Sequence, residues 1–390
     1  MEVKSALYHT LIVLLSQVEN WLDVRHMKTL AWMVVGLIES EKISLTSWIP
    51  YAEVRAQMAQ SVQRRFQRWL ENERIEVNQL YGALIQGALR EWGLSTLYLA
   101  LDTSMLWGKY CIIRVSLVYR GRAIPLVWKV IEHASSSVAF GEYKPLLAQA
   151  AGLLPVYGLS EIVLLADRGF ADTELMRYVQ QELGWHWRIR IKSCFLVHRR
   201  GRRVCKISRC APKAGQAYFW QAIRITAEGY GPVHLAMAHL RENGERWYVL
   251  SDQPTSLQTF DDYALRFDIE ENFLDDKSNG FQLESSLLRS AQALTRLCFV
   301  LAVATLFLVC QGVEVVRTDL RRWVDPHWFR GHSYLRIGWN WVKHALTKGW
   351  ALLTALRLDP TPDPEPAIAS RASFFAQPSL RLAVSFRNFA

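Results

Sequence analysis

Cysteine is scarce in this chain of 390 residues: six are scattered at 111, 194, 205, 210, 298 and 310. So few thiols at such irregular distances exclude a disulfide scaffold of the secreted kind. Nor does any apolar run reach membrane length. The longest, Leu297 to Val309, is 13 residues and follows Arg296, against the roughly 18–20 a spanning helix needs; it reads as a buried core helix. The start, Met1-Glu2-Val3-Lys4-Ser5, does not look like a signal peptide, which gives the expectation of a cytoplasmic protein. Internal repeats are missing as well. Acid is absent from residues 188–213, which hold ten Lys/Arg and so carry charge equal to the whole chain's net +10. Such an excess favours a polyanionic partner.

What is present divides by pattern. With 51% hydrophobic residues the chain has ample core for two or three domains at about 100–200 residues each. Residues 1–93 read as helical, with apolar residues at helical spacing. Within them Ser61–Leu70 puts Phe66, Trp69 and Leu70 on one face and Arg64, Arg65 and Arg68 on another, an arrangement that suits a DNA groove or, more plainly, a solvated arginine face. From 94 to 193 strands dominate (Thr96–Leu101, Tyr110–Tyr119, Ala123–Ile131, Glu161–Ala166, Trp185–Ile191), with helices near 141–151 and 173–183. Strands crossed by helices give a mixed α/β sheet. Residues 194–250 read as a β-rich insertion with a basic hairpin tip at Gly201, 251–312 as helices, and 313–390 as a C-terminal region. In that region Asp359-Pro360-Thr361-Pro362-Asp363-Pro364-Glu365-Pro366 has the composition of a semi-rigid linker. Zinc is a poor reading of Cys194, Cys205, Cys210 and His198, whose spacings fit no standard ligand pattern.

Two carboxylates close apolar strands, Asp102 after Leu97–Leu101 and Asp167 after Ile162–Ala166. Each alone is an ordinary turn or cap residue; on neighbouring strands they would aim two hard oxygen ligands at one point. A third acid lies in Tyr263-Ala264-Leu265-Arg266-Phe267-Asp268-Ile269-Glu270. At about 100° per residue Tyr263, Arg266, Glu270 and Lys277 share one face within about 60°. An Arg266–Glu270 pair at i,i+4 is the simpler account of that face; the alternative is a metal ligand flanked by phosphate-holding groups.

The spacing Tyr263, two residues, Arg266, three residues, Glu270, six residues, Lys277 resembles the Y-(2)-R-(3)-E-(6)-K signature of bacterial insertion-sequence DDE transposases, the insertion-sequence-four type. Leu101-Asp102-Thr103 and Ala166-Asp167-Arg168-Gly169-Phe170 are similar to that family's two aspartate motifs. The resemblance implies an RNase H-like mixed-sheet core interrupted by the β-rich insertion, an all-helical N-terminal DNA-binding region and a helical C-terminal region. It implies that Asp102, Asp167 and Glu270 are catalytic and hold two Mg²⁺ ions, with Mn²⁺ able to substitute. Tyr263, Arg266 and Lys277 would contact DNA phosphate, Trp247 would stack on a base, and Arg64, Arg65 and Arg68 would read the element's ends. The implied partners are double-stranded DNA, as transposon ends and target, and a second copy of the chain in a DNA-bound homodimer, in a nucleoid-associated setting with no membrane. A two-metal nuclease without strand transfer and an inactive transposase-derived DNA-binding protein are the competing readings.

Overall fold

The computed structural model describes residues 3–19, 21–54, 58–93, 96–154, 161–241, 244–328, 331–365 and 383–386. Its spine is one mixed sheet with the strand order β3-β2-β1-β4-β5-β10-β9-β8-β6-β7. The strands are β1 (Thr96–Leu106), β2 (Tyr110–Tyr119), β3 (Arg122–Glu132), β4 (Glu161–Ala166), β5 (His186–Arg190), β6 (Leu196–His198), β7 (Cys205–Lys206), β8 (Gln216–Ile225), β9 (Tyr230–His239) and β10 (Arg246–Ser251). A further short strand, β11 (Ala383–Phe386), pairs in parallel with β8. The hairpin β1–β2–β3 is antiparallel, whereas β1, β4 and β5 run parallel, joined by crossovers that contain α6 (Phe140–Leu153) and α7 (Thr173–Arg177).

Residues 194–250 build no sheet of their own. β10 pairs with β5 through Val249↔Arg190, Leu250↔Ile189 and Ser251↔Arg188, so β6–β10 continue the sheet that starts at β3. β1 also outruns its expected end: its ladder with β2 continues through Asp102↔Arg114 to Leu106↔Tyr110. Asp102 is therefore a residue inside a strand, and only its parallel pairing with β4 stops beside it.

The N-terminal residues form α1 (Val3–Leu15), α2 (Val24–Ser40), α3 (Leu45–Trp48), α4 (Ala59–Glu71) and α5 (Val77–Ala88). Of these, α2, α4 and α5 pack against α10 (Ala291–Arg317), which also lies against β3 and, beyond α11 (Arg321–Val324), α12 (Tyr334–Lys348). At 27 residues α10 is long and apolar enough to cross a membrane by length and composition, yet 94% of its most apolar window is buried inside the fold. It touches α12 backbone to backbone: a Cβ at Gly338 would stand 1.8 Å from the Leu308 carbonyl oxygen, and one at Gly312 would stand 2.1 Å from that of Tyr334. Small residues at a crossing permit such an approach.

Helices α8 (Gln258–Ala264) and α9 (Phe267–Leu274) are separated at Leu265–Arg266, and α9 runs on into a wider π-type turn, Asp275–Asn279. The single helix drawn from periodicity over this stretch is thus three pieces of differing pitch. The proline-rich segment departs from the linker reading too. The Leu358 amide donates to the Ala88 carbonyl, Asp359 N to the Tyr119 hydroxyl, Arg120 to the Thr361 carbonyl and the Tyr334 hydroxyl to Asp363. Partners from α5, the end of β2 with the turn after it, and α12 hold 358–365 onto the fold. Pro366, with 367–382 and 387–390, lies outside the described residues.

Candidate active site

Parallel pairing between β1 and β4 ends at Leu101↔Ala166, so the next residue on each strand, Asp102 and Asp167, lies side by side at one level of the sheet. Asp167 also caps the turn that follows, accepting from the Gly169 amide at 3.1 Å, and Asp102 accepts from its neighbour Thr103 at 2.8 Å. α9 crosses β1, β2 and β3 and presents Glu270 toward the two aspartates. All three acids, with Ser136, Ser137 and Lys277, line one open cleft of about 470 Å³.

Arg266 ties this group together. It donates to Asp102 Oδ2 at 3.2 Å, to Glu270 Oε1 at 2.5 Å and to the Tyr263 hydroxyl at 3.2 Å, while its guanidinium lies 4.7 Å from the Phe267 ring centroid. Burial opposes its charge, but Tyr263, Asp102 and Glu270 outweigh that and raise its pKa. The i,i+4 pair of the simpler reading is therefore present, extended to a second carboxylate. Arg266 is 3% exposed and Tyr263 is fully buried. Both side chains lie on the inner face, where Tyr263 steadies Arg266 and Arg266 holds the two acids.

Burial pushes the Asp102 carboxyl up to about 6; the Arg266 charge and the Thr103 amide oppose the rise, and the charges of Glu270 and Asp167 add to it. Hard carboxylate and hydroxyl oxygens are the donor chemistry of Mg²⁺ and Mn²⁺, so the donor set fits such an ion. Among the described residues no three His, Cys, Asp or Glu side chains converge to ligand distance, and Arg266 fills the space between Asp102 and Glu270. Lys277 reaches the cleft despite the change of pitch. Its ammonium donates to the Met105 carbonyl at 2.5 Å, and burial lowers its pKa against the pull of Glu284 and Asp276.

Trp247 is not among the residues that line the acid cleft. It is 5% exposed and packs in a second apolar cluster with Phe219, Val249, Phe260 and Tyr263, its ring 5.5 Å from and perpendicular to that of Tyr263. The rings of Phe260, Tyr263 and Phe267 surround it. The alternation along β10 left either face open to it, and the aromatic side of α8 claims this one. Its effect on the site is indirect, through Tyr263 to Arg266.

Arg65 and Arg68 line a separate cleft of about 790 Å³ between α1, α2 and α4, together with Arg25, Lys28 and Tyr8. Arg65 donates to Thr29 Oγ1 at 3.1 Å, whereas Arg64 points away on the exposed side of α4. Of the ten basic residues at 188–213, Arg188 is buried near Asp252 and Asp262, and Arg190 pairs with Glu245 at 2.8 Å. Both belong to the sheet. Arg200, Arg202 and Arg203 are exposed at the hairpin tip, while Arg199 lies over the Trp220 ring at 4.3 Å.

A group the sequence reading missed sits beneath the acids. Arg114, across the ladder from Asp102, is buried with Asp276 at 2.7 Å and Asn272 at 2.7 Å, and lies over the Phe273 ring at 4.7 Å. The available signal was a lone arginine inside Cys111-Ile112-Ile113-Arg114-Val115, since a charge in an apolar strand requires a partner.

A family model described as a transposase DDE domain matches residues 109–307, about half of the chain. The match contains Asp167 and Glu270 and begins seven residues after Asp102 (109 − 102). No curated protein matches the chain.

Proposed function

Because the chain belongs to the DDE transposase family, we propose that it binds the terminal inverted repeats of an insertion sequence and carries out metal-dependent strand cleavage and strand transfer there. The carrying observation is the meeting of Asp102, Asp167 and Glu270 in one cleft from three separate stretches of chain. Three carboxylates facing one cleft repel one another and gain a binding protein nothing unless a cation joins them.

In this reading Asp102, Asp167 and Glu270 hold two Mg²⁺ ions, or Mn²⁺ in their place. When bound, these supply activation of water and of the freed 3′-hydroxyl, and neutralise the charge that builds on the phosphate. The chain's own residues do the rest. Arg266 balances Asp102 and Glu270 until the cations arrive, Tyr263 and Phe267 fix the guanidinium, and Arg114 with Asp276 seats α9 so that Glu270 faces the aspartates. Lys277, held against Met105, offers a donor to a phosphate lying in the cleft. With a pKa of about 6, Asp102 is mostly ionised at neutral pH, the form a cation requires. The cleft of Arg65 and Arg68 and the hairpin tip at 199–203 supply cations for phosphates away from the reacting bond. Joining two ends calls for two copies of the chain on the DNA.

Glu270→Gln tests the assignment. The amide keeps the shape of the side chain, and Glu270 is largely at the surface, so folding and DNA binding are expected to persist while Mg²⁺-dependent nicking of end DNA disappears. Nicking at the wild-type rate would remove Glu270 from the site.

A further inference from the structure

The tip of the β1–β2 hairpin is built from an unsuitable residue. Trp107 and Gly108 take φ of +52° and +64°, the left-handed pair of a tight turn in which Asn, Asp and Gly are at ease and a bulky side chain is not. Strain of this kind persists where the side chain is needed. Trp107 is 37% exposed, its indole N–H donates to the Glu284 carbonyl at 3.0 Å, and the Arg289 guanidinium lies 4.6 Å from its ring centroid. Arg289 is itself exposed, with no acidic partner among the described residues. Beside them Lys109 pairs loosely with Glu132 at 3.6 Å, and Leu287 is 86% exposed. The cluster is thus an indole with a guanidinium over one face and the Tyr110 ring edge-on at 6.1 Å, and among the described residues no carboxylate neutralises that guanidinium.

Its position gives it meaning. Trp107 directly follows the strand that carries Asp102, and Lys277, which lines the acid cleft, is anchored on Met105 two residues before it. The five residues from Asp102 to Trp107 span about 16 Å at ~3.3 Å each, the length of about five stacked nucleotides at 3.4 Å per nucleotide of one strand. A paired base shows its edge and hides its face. An indole beside a guanidinium offers what an unpaired base binds, a stacking plane and a cation.

We infer that Trp107 and Arg289 form a stacking platform for an unpaired nucleotide of the DNA strand, about five nucleotides from the phosphodiester held at the acids. The inference rests on the transposase reading and places a contact on the outer side of the hairpin, away from the buried Trp247.

The test is equilibrium binding by fluorescence anisotropy without divalent metal, so no cleavage is read. Two labelled duplexes of about 30 base pairs are compared, one fully paired and one carrying about six unpaired nucleotides within the same sequence. Wild-type protein is expected to favour the second by about tenfold. Trp107→Asn suits the positive φ, so its melting temperature should hold while the preference disappears and affinity for the paired duplex stays unchanged; Trp107→Tyr should retain the preference. Equal weakening on both DNAs, or a preference that survives in Trp107→Asn, overturns the platform. If the asparagine variant melts lower, Arg289→Ala on the surface decides in the same way. Failure here with Glu270→Gln still abolishing nicking would leave the catalytic reading standing, and the reverse pattern would strike only that reading.

Discussion

Arg114 and Asp276 form a fully buried ion pair, 2.7 Å apart, that joins the strand opposite Asp102 to the turn continuing the Glu270 helix. Removing one member strands the other charge in the core, at a cost of about 3–5 kcal/mol. Arg114→Met is therefore expected to lower the unfolding free energy in urea by that amount, and adding Asp276→Leu should recover most of it. A double variant no more stable than the single one would mean that the pair is not what holds α9 to the sheet.

Asp102 and Asp275 both have carboxyl groups pushed up to about 6, chiefly by burial, from an ordinary 3.8. Between those values the folded chain keeps protons the unfolded chain has lost, so metal-free stability falls as pH rises from about 4 to about 6. A divalent cation reverses the preference by needing the ionised form. The rise in melting temperature on adding Mg²⁺ should thus be full near pH 7.5, shrink below about pH 6 and vanish in Asp102→Asn. An undiminished rise at about pH 5 would contradict this.

Trp247→Ala removes a packed ring next to Tyr263 and should cost about 3–5 kcal/mol, while Trp247→Phe keeps most of the packing and most of the stability. Were Trp247 a base-stacking residue in spite of its burial, alanine would cost affinity for DNA at little loss of stability. Denaturation and binding run side by side separate the two.

Lys28 and Arg68 lie in the N-terminal cleft with exposed side chains. Replacing both by alanine should leave the melting temperature within a degree or so and flatten the plot of log Kd against log salt by up to about 1.8, at ~0.9 for each phosphate no longer neutralised. An unaltered slope would take this cleft out of the DNA interface.

Much of this was open to reading in the sequence, for physical reasons that differ by element. β4 was plain because a short apolar run closed by Asp167 has few other uses in a mixed sheet. That Asp102 would stand beside it depended on β1 and β4 being neighbours, which local pattern does not specify; the register Leu101↔Ala166 does. Tyr263 and Arg266 share the face with Glu270 that a constant turn angle gives, but that this face is buried depends on α8 packing against β5 and β10, which periodicity does not report. Arg114 escaped notice because its partners Asn272 and Asp276 lie more than 150 residues away. Asp359–Glu365 read as a linker because the groups that hold it, Tyr119, Arg120 and Tyr334, belong to distant elements.

The unbroken sheet turns the molecule into a ruler. From β4, which ends at Asp167, to β6 at the foot of the arginine hairpin there are five strand spacings through β5, β10, β9 and β8, about 24 Å at ~4.8 Å each. On the proposed reading, with the hairpin gripping the duplex and the acids cutting it, the sheet sets the gap between the two at about seven base-pair steps at 3.4 Å.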